Sequence, residues 1–376
     1  LPITARYAQH WNFAGGTPEE FARKRDVLHA RHLRHVADRA HDALDADALG
    51  LQVLDQRSQR LGFGQGRESA HSGEALQNVA EAFRALADGG WIGVSANPEY
   101  GGMGLPQALN VAVMEMVASG CLALQLNPLL TQGQIEALEH HGSKELRALY
   151  LPKLISGEWS GTMNLTEPQA GSDVGALTTK AERMDDGTYR ITGQKIFITW
   201  GDSDVTENVC HLVLARLPDG GAGTRGISLF MVPKLIPDEN GNPGMANDLR
   251  VVSLEHKLGI HGSPTCVMSF EAAKGWLVGE ENKGMAAMFT MMNAARLGVG
   301  VQGVAVAEAA LQAATAYAAE RVQMGPIIRH PDVRRMLAES RAEVFAARAI
   351  CLACATALDM ARATGSEEWA ARAALL

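Results

Sequence analysis

Two short blocks in the middle of the chain concentrate residue types that could hold a polar or anionic ligand. The first, MNLTEPQAGSDV, begins at Met163 as a short strand and continues as a loop broken by proline and glycine. Hydroxyls and free backbone N–H groups are dense there, as anion-binding turns require. The second, TGQKIFIT, begins at Thr192 and alternates apolar and polar residues, as a half-buried strand does. With the turn signal Asp-Asp-Gly between them, we expect a small antiparallel sheet that groups Thr166, Ser172, Phe197 and Thr199.

The predicted secondary structure around these blocks changes from helix to strand and back to helix along the chain, which predicts an α+β fold. We expect an N-terminal helical domain over 1–160, a middle antiparallel β-barrel domain over 161–278 and a C-terminal helical bundle over 279–376. Strands are predicted at 211–216, 226–233, 251–254 and 265–270. Helices are predicted near Thr17, from Glu74, at 107–120, 131–141, 284–322 and 332–364, and after Ser366.

The C-terminal helical bundle is expected to be incomplete. Three apolar helices bury their faces poorly on their own. The chain opens on Leu1 rather than methionine and stops at Leu376 inside a helical pattern. We therefore expect a fragment of a longer chain, with the bundle completed by further helices, by a partner subunit, or by both.

Composition narrows the possible functions. The 376 residues carry a formal net charge of −8 and no block dense in lysine or arginine, which disfavours nucleic-acid binding. No apolar run approaches the length of a membrane span and nothing resembles a cleavable signal, so we expect no membrane partner. Five cysteines without framework spacing suggest a reducing compartment, and we predict a cytoplasmic protein.

Two patterns invite a metal interpretation that their surroundings disfavour. His29, His32 and His35 lie among arginines, whose charges would repel a cation, so a solvated helix face is the better interpretation. Cys351 and Cys354 lie within a predicted helix among apolar residues and without a second pair, which favours core packing. We predict no metal site.

The two central blocks also resemble a known family. Thr-Glu-Pro-Gln-Ala-Gly-Ser-Asp followed by Gly-Gln-Lys-Ile-Phe-Ile-Thr resembles the signature of the acyl-CoA dehydrogenase flavoproteins. An ordinary hairpin rich in turn residues would explain either block alone, but not both in this order and spacing. The resemblance covers nearly all of the chain after about residue 75. Within the family, the methylthiopropionyl-CoA dehydrogenase-like subgroup is indicated by Thr206-Glu207-Asn208, Pro233-Lys234 and the segment 255–266.

This resemblance implies an FAD-dependent enzyme that dehydrogenates the α,β carbons of an acyl-CoA thioester to the enoyl-CoA. The acyl group would be 3-methylthiopropionyl or a fatty acyl chain. It also implies electron-transfer flavoprotein as electron acceptor and a homo-oligomer, either a dimer or a tetramer. Two alternatives stay open: an acyl-CoA oxidase, in which oxygen reaches the reduced flavin, and a non-catalytic flavin-binding scaffold of the same fold.

The resemblance assigns cofactor-binding roles around the signature. Thr166 and Thr199 would be hydroxyl partners of the flavin ring, and Phe197 would pack on the ring where relatives often carry tryptophan. Met163 and Leu165 would line the same wall. In the Gly171-Ser172 turn, Ser172 would serve a phosphate or the pantetheine arm of the substrate. For all of these residues, strand packing and turn formation are the alternative.

Further assignments lie in the C-terminal helices. Arg321, in Glu-Arg-Val-Gln-Met-Gly, would reach the flavin pyrophosphate of a neighbouring subunit, with Met324 in place of the usual aromatic residue; a cation near a helix C-terminus is the alternative. Substrate-binding residues would be Ser172, Met285, Asn293 and Arg296.

The catalytic base is not identified within the sequence. Some members of the family carry a glutamate at the position of Ala295, and alanine cannot abstract a proton. Glu167, which lies in the signature, is expected to anchor the loop. We therefore expect the base, a glutamate, beyond Leu376.

Overall fold

The computed structural model describes residues 72–376, which contain seven α-helices and nine β-strands. The helix predicted near Thr17 and the histidines at 29, 32 and 35 lie outside the described residues. Within the described range, helices precede and follow a β-sheet domain, so the predicted α+β fold is confirmed.

Four helices precede the sheet: α1 (Ser72–Asp88), α2 (Gln107–Gly120), α3 (Leu122–His141) and α4 (Lys144–Ser156). Helix α3 begins earlier than predicted because it tolerates Pro128 in its interior. Helix α4 was not predicted, although its caps are ordinary. The Ser143 hydroxyl accepts a hydrogen bond from the Leu146 N–H (3.2 Å), and Gly157 ends the helix with φ +80°.

The middle domain is a closed barrel with two attached strands and a separate ribbon. Its strands are β1 (Trp159–Asn164), β2 (Lys180–Arg183), β3 (Tyr189–Thr199), β4 (Asn208–Arg216), β5 (Ile227–Pro233), β8 (Leu249–Leu254) and β9 (Thr265–Val278), and the ribbon is β6 (Leu235–Pro237) with β7 (Pro243–Ala246). The order β4–β2–β3–β9–β5 closes because β5 also pairs with β4. Apolar side chains fill the barrel and the space between its outer face and α3, α4 and α5.

The predicted pairing of the two signature blocks is wrong. Strand β1 runs parallel to β4, and β3 forms its hairpin with β2, through a turn at Gly187 (φ +78°). The loop 165–179 separates β1 from the hairpin, so the nearest antiparallel neighbour of β3 is the strand that directly precedes it. The barrel is therefore not purely antiparallel, since both β1 and β2 meet β4 in parallel.

Three helices follow the sheet: α5 (Gly284–Glu320), α6 (Pro331–Thr364) and α7 (Glu367–Leu375). Helix α5 packs against α2, α3 and α6, so the C-terminal helices bury part of their surface on the N-terminal ones. Two sets of polar contacts connect the C-terminal helices to the N-terminal ones. The Asp359 carboxylate of α6 accepts hydrogen bonds from the first two N–H groups of α2 (2.6 and 3.0 Å). Arg348 of α6 bridges Glu115 of α2 (2.6 Å) and Glu308 of α5 (2.7 Å).

Helices α5 and α6 are long and apolar enough to cross a membrane when only length and composition are considered. These helices contain no continuous apolar run of that length and reach the criterion with windows rich in alanine. Core helices of soluble proteins meet the same criterion, and α5 and α6 pack against each other. The observation is weak evidence for a membrane.

Candidate active site

Strand β3 carries a β-bulge inside the second signature block. Lys195 pairs with Met268 and Ile198 pairs with Cys266, so residues 196–197 lie opposite a single residue of β9. Because strand side chains alternate between faces, positions 195 and 198 would otherwise point to opposite sides. The extra residue lets both point inward, where Lys195 is fully buried and Ile198 is buried.

The bulge leaves Phe197 on the outside of the barrel. Its φ is +61°, which is uncommon for a bulky residue, and 59% of the residue is exposed. Thr199, two residues further, is half-buried. Strained backbone that presents a large apolar side chain beside a hydroxyl indicates a functional position, because neither feature helps the fold by itself.

The loop after β1 lies against this bulge. The Ile196 N–H donates to the Thr166 carbonyl (2.9 Å), and Glu167 and Ala170 exchange two backbone hydrogen bonds of 3.0 Å. Gly171 lies beside the Thr166 methyl group, which a β-carbon at Gly171 would approach to 3.8 Å. Within residues 72–376, no acceptor pairs with the Thr166 N–H.

A buried ion pair joins the two blocks. The Lys195 Nζ lies 2.8 Å from Glu167 Oε1 and donates to the Leu165 carbonyl (3.0 Å). Both side chains are almost completely shielded from solvent, at 0% and 2% exposure. Five more donors reach the carboxylate: the N–H and hydroxyl of Thr178 and of Thr179, and the Gln169 amide.

The charges of this pair are set by burial and by each other. Burial raises the pKa of Glu167, but the Lys195 ammonium and the hydrogen bonds from Lys195, Thr179 and Thr178 outweigh it and lower that pKa to about 2. Burial lowers the pKa of Lys195 to about 8, and Glu167 opposes this shift. Both groups are charged at neutral pH. A carboxylate with six donors has no free lone pair, so Glu167 holds the loop and cannot serve as a base.

A second polar group inside the barrel was not predicted. His211 of β4 is fully buried, and its Nδ1 lies 2.7 Å from the Thr162 hydroxyl, which also accepts from Asn164 Nδ2 (2.8 Å). Burial, and then the Lys234 charge, lower the pKa of His211 to about 3, so the ring is neutral at neutral pH. The sequence signal for this group is the presence of polar residues (Thr162, Asn164 and His211) within strands that are otherwise mostly apolar.

The structure brings most of the predicted cofactor residues onto two adjoining segments: Met163, Leu165 and Thr166 on one, and Phe197 and Thr199 on the other. Met163 and Leu165 pack on the apolar core between sheet and helices, and the predicted substrate residue Met285 of α5 packs on the same core. Gly171 and Ser172 lie in the exposed part of the loop.

Asn293 and Arg296 lie in a different place, on α5. Arg296 donates to the Asn293 side-chain oxygen (2.8 Å), and its guanidinium lies 5.7 Å from the centre of the Phe289 ring. Asn293 and Arg296 both line a cavity of about 1460 Å³ between α5, α6 and α7, which Glu136 and His140 of α3 also line. Among the described residues, none from the barrel lines this cavity.

Arg321 and Met324 are exposed at the far end of α5, and Met324 is 98% exposed with φ +55°. The beginning of α5 lies against β5, since a β-carbon at Gly284 would meet Ser228. The 37 residues of α5 extend about 55 Å. Arg321 therefore cannot reach the barrel of its own chain, and its predicted contact with a flavin pyrophosphate needs a neighbouring subunit.

Comparison with known proteins gives matches over the described range. Three family models match: "Acyl-CoA dehydrogenase, N-terminal domain" over 67–158, the middle domain over 162–273 and the C-terminal domain over 282–374. The 3-methylmercaptopropionyl-CoA dehydrogenase of Ruegeria pomeroyi is 52% identical over 302 residues, which are 78% of this chain and 51% of that protein. Mitochondrial isovaleryl-CoA dehydrogenase of Pongo abelii is 31% identical, covering 88% of this chain and 78% of that protein.

A solved structure gives the same result. Butyryl-CoA dehydrogenase from Megasphaera elsdenii superposes with a TM-score of 0.67 at 25% identity, covering 83% of this chain and 84% of that one. The chain spans about half the length of the first curated relatives that it matches. Since models of all three domains match in order, and an isovaleryl-CoA dehydrogenase is matched over 78% of its length at 31% identity, the chain belongs to the acyl-CoA dehydrogenase family.

Proposed function

We propose that this chain takes part in the FAD-dependent α,β-dehydrogenation of an acyl-CoA thioester to the enoyl-CoA. The observation that carries the proposal is the exposed Phe197 on the bulge of β3, close to the Thr166 loop and followed by Thr199. A flat apolar face beside hydroxyl and N–H donors suits a planar ring with polar edges.

The hydrogen-bond donors and the apolar wall of this site match the chemistry of FAD. Thr166 and Thr199 would hold the ring edge by their hydroxyls, Phe197 would pack on the ring, and Met163 and Leu165 would line it. When bound, FAD supplies the acceptor for the hydride from the β-carbon. The residue set thus covers both properties of the ring, its apolar faces and its polar rim.

The loop and helix residues would serve the extended parts of the ligands. Gly171, Ser172 and, from a neighbouring subunit, Arg321 with Met324 would meet the phosphates or the pantetheine arm. Ser172, Met285, Asn293 and Arg296 would contact the substrate. Met285 shares an apolar core with Met163 and Leu165, so these side chains would keep water from the reacting carbons.

The base that takes the α-proton is assigned to no described residue. Glu167 is unsuitable because six hydrogen-bond donors occupy its carboxylate. The glutamate expected beyond Leu376 stays a prediction.

We propose 3-methylthiopropionyl-CoA or a fatty acyl-CoA as the substrate. The relative named for the first is 52% identical, whereas relatives named for butyryl and isovaleryl groups are 42% and 31% identical. The sulfur-containing group is therefore the first substrate to test.

The test is an anaerobic titration of the protein, expressed at the full length that its gene encodes. With FAD bound, the right acyl-CoA should bleach the long-wavelength flavin absorption, and added electron-transfer flavoprotein should restore it. Rapid peroxide formation in air would favour the oxidase. A protein that binds FAD but is bleached by no acyl-CoA would refute dehydrogenation and favour the scaffold.

We also propose a cytoplasmic homo-oligomer, a dimer or tetramer, that passes electrons to electron-transfer flavoprotein. Large apolar side chains that lie exposed on α5 and α6 support an oligomer, because monomeric soluble proteins rarely expose so many together. They are Phe289, Val299, Val306, Tyr317, Met336, Phe345 and Ile350.

The mass in solution, measured by light scattering, tests this proposal, and a monomer would refute it.

A further inference from the structure

The buried pair Lys195–Glu167 lies directly behind the proposed flavin wall and is not itself part of it. Lys195 is two residues before Phe197, and Glu167 directly follows Thr166. Both side chains point away from solvent, at 0% and 2% exposure. Neither can contact a ligand, so any influence on the site must act through the backbone that they hold.

A buried ion pair is a poor device for stability alone. Removing an ammonium and a carboxylate from water is costly, and replacing such a pair by apolar side chains of similar volume is often neutral or stabilising. An apolar residue at 195 would suit the barrel interior, which is otherwise filled by side chains such as Ile198 and Met268. What an apolar side chain cannot do is donate to the Leu165 carbonyl.

That hydrogen bond acts on one specific peptide group. The Lys195 Nζ donates to the Leu165 carbonyl (3.0 Å), and the other end of the same peptide group is the Thr166 N–H, which has no acceptor among the described residues. A cation at the carbonyl polarises the peptide and strengthens the N–H as a donor. The Ile196 N–H holds the next carbonyl, that of Thr166 (2.9 Å), so the loop is attached at two points to the bulge that carries Phe197.

We infer that Lys195 is a positioning residue: its bonds to the Leu165 carbonyl and to Glu167 fix the Thr166 N–H and hydroxyl relative to Phe197 and thereby set the flavin-binding geometry. Glu167 keeps the ammonium in place and connects it to Thr178 and Thr179 at the end of the loop. The inference rests on the proposed function, because it presumes that a flavin is the ligand.

The test separates positioning from stability with one single and one double substitution. Lys195→Met removes the cation at similar volume and leaves Glu167 buried without its partner, so the protein should be less stable and bind FAD at least tenfold more weakly. In the double variant Lys195→Met/Glu167→Gln, no charge stays unpaired, and the glutamine oxygen accepts from one of the two threonines while its amide group faces the N–H of the other. Its thermal stability should recover towards wild type.

The double variant should nevertheless keep the flavin defect. We expect its FAD affinity, measured by quenching of FAD fluorescence, to stay at least tenfold weaker than wild type and the visible circular dichroism of its bound flavin to differ. In the flavin-free protein, peptides covering 163–171 should exchange amide hydrogens faster than in wild type. Lys274→Met is the matched control, since Lys274 forms an exposed ion pair with Asp186 (3.0 Å) in the same barrel; it should leave all three readouts unchanged.

Each remaining outcome counts against the inference. A double variant with wild-type affinity, flavin dichroism and exchange would show that the pair serves stability alone. A wild-type protein that binds no FAD would overturn both the proposed function and the inference. Wild-type binding with an unaffected double variant would overturn only the inference.

Discussion

The buried imidazole of His211 makes the protein sensitive to mild acid. The folded protein keeps this ring neutral down to a pKa of about 3, because burial and then the Lys234 charge disfavour the imidazolium. In the unfolded chain the same ring takes up a proton at its ordinary pKa of 6.5. Unfolded protein therefore binds more protons between these two values. The stability contribution of His211 is complete above pH 6.5 and is lost progressively as the pH falls towards 3.

The size of the effect follows from one proton. Each pH unit inside the window changes the free energy of unfolding by about 1.4 kcal/mol. Starting from about pH 7.5, the loss should reach about 1.4 kcal/mol near pH 5.5 and about 2.7 kcal/mol near pH 4.5. Glu167, whose pKa is lowered from 4.5 to about 2, contributes its own loss mainly below pH 4.5.

The perturbation is His211→Gln, which removes the titrating group and keeps a polar side chain beside Thr162. Urea unfolding of wild type and variant across about pH 7.5 to 4.5 measures the difference in pH dependence. The variant is expected to be less stable at neutral pH, since it loses the contact with Thr162 (2.7 Å), yet to have a flatter acid limb. His256→Gln, at an exposed position, should keep the wild-type slope.

Equal slopes for wild type and His211→Gln would refute the reasoning, because they would show that His211 is protonated in the folded state or that it is accessible to water. A steeper variant would refute it equally. The absolute stability of the variant at neutral pH does not enter this comparison.

Two further predictions concern the site and the helical layers. Phe197→Ala should weaken FAD binding about tenfold, which corresponds to the loss of about 1.4 kcal/mol of contact with the ring. The free energy of unfolding should stay within about 0.5 kcal/mol of wild type, because the side chain is mostly exposed. Met245→Ala, at a 72% exposed position, is the control, and an unchanged FAD affinity of Phe197→Ala would show that Phe197 is not part of the site. Asp359→Ala should cost about 1 kcal/mol in urea unfolding, because the first two N–H groups of α2 lose their acceptor. The exposed Asp332→Ala should cost less, and equal costs would contradict a capping role for Asp359.

The helices and most strands could be predicted because their signals are local. Helix α6 begins at Pro331 and ends at Gly365, as proline and glycine preferences predict. The strands that contain 211–216 and 226–233 appeared as apolar runs. The parallel pairing of β1 with β4 could not be predicted, because a strand's own residues do not specify which distant strand will lie beside it.

The site illustrates the same limit at the level of one residue. A period-two reading of TGQKIFIT places Ile196 and Ile198 inside and Lys195 outside. The bulge at 196–197 instead places both Lys195 and Ile198 on the inward face, and no glycine marks it, since the left-handed position is occupied by Phe197. Thr166, Phe197 and Thr199 were found through the resemblance, whereas the ion pair behind them required the barrel to be closed.

The bond between Asp359 and the start of α2 has a consequence for synthesis. Asp359 follows Gln107 by 252 positions. Because a ribosome adds about 5–20 residues per second, Asp359 is synthesised roughly 10–50 s after the N-terminus of α2 whose N–H groups it accepts from. Arg348 is likewise synthesised long after its partner Glu115, which precedes it by 233 positions. The nascent N-terminal helices must therefore persist without their final partners, exposed to chaperones and proteases. The three stretches that match separate family models consequently do not mature one after another, since the first is completed only by the last.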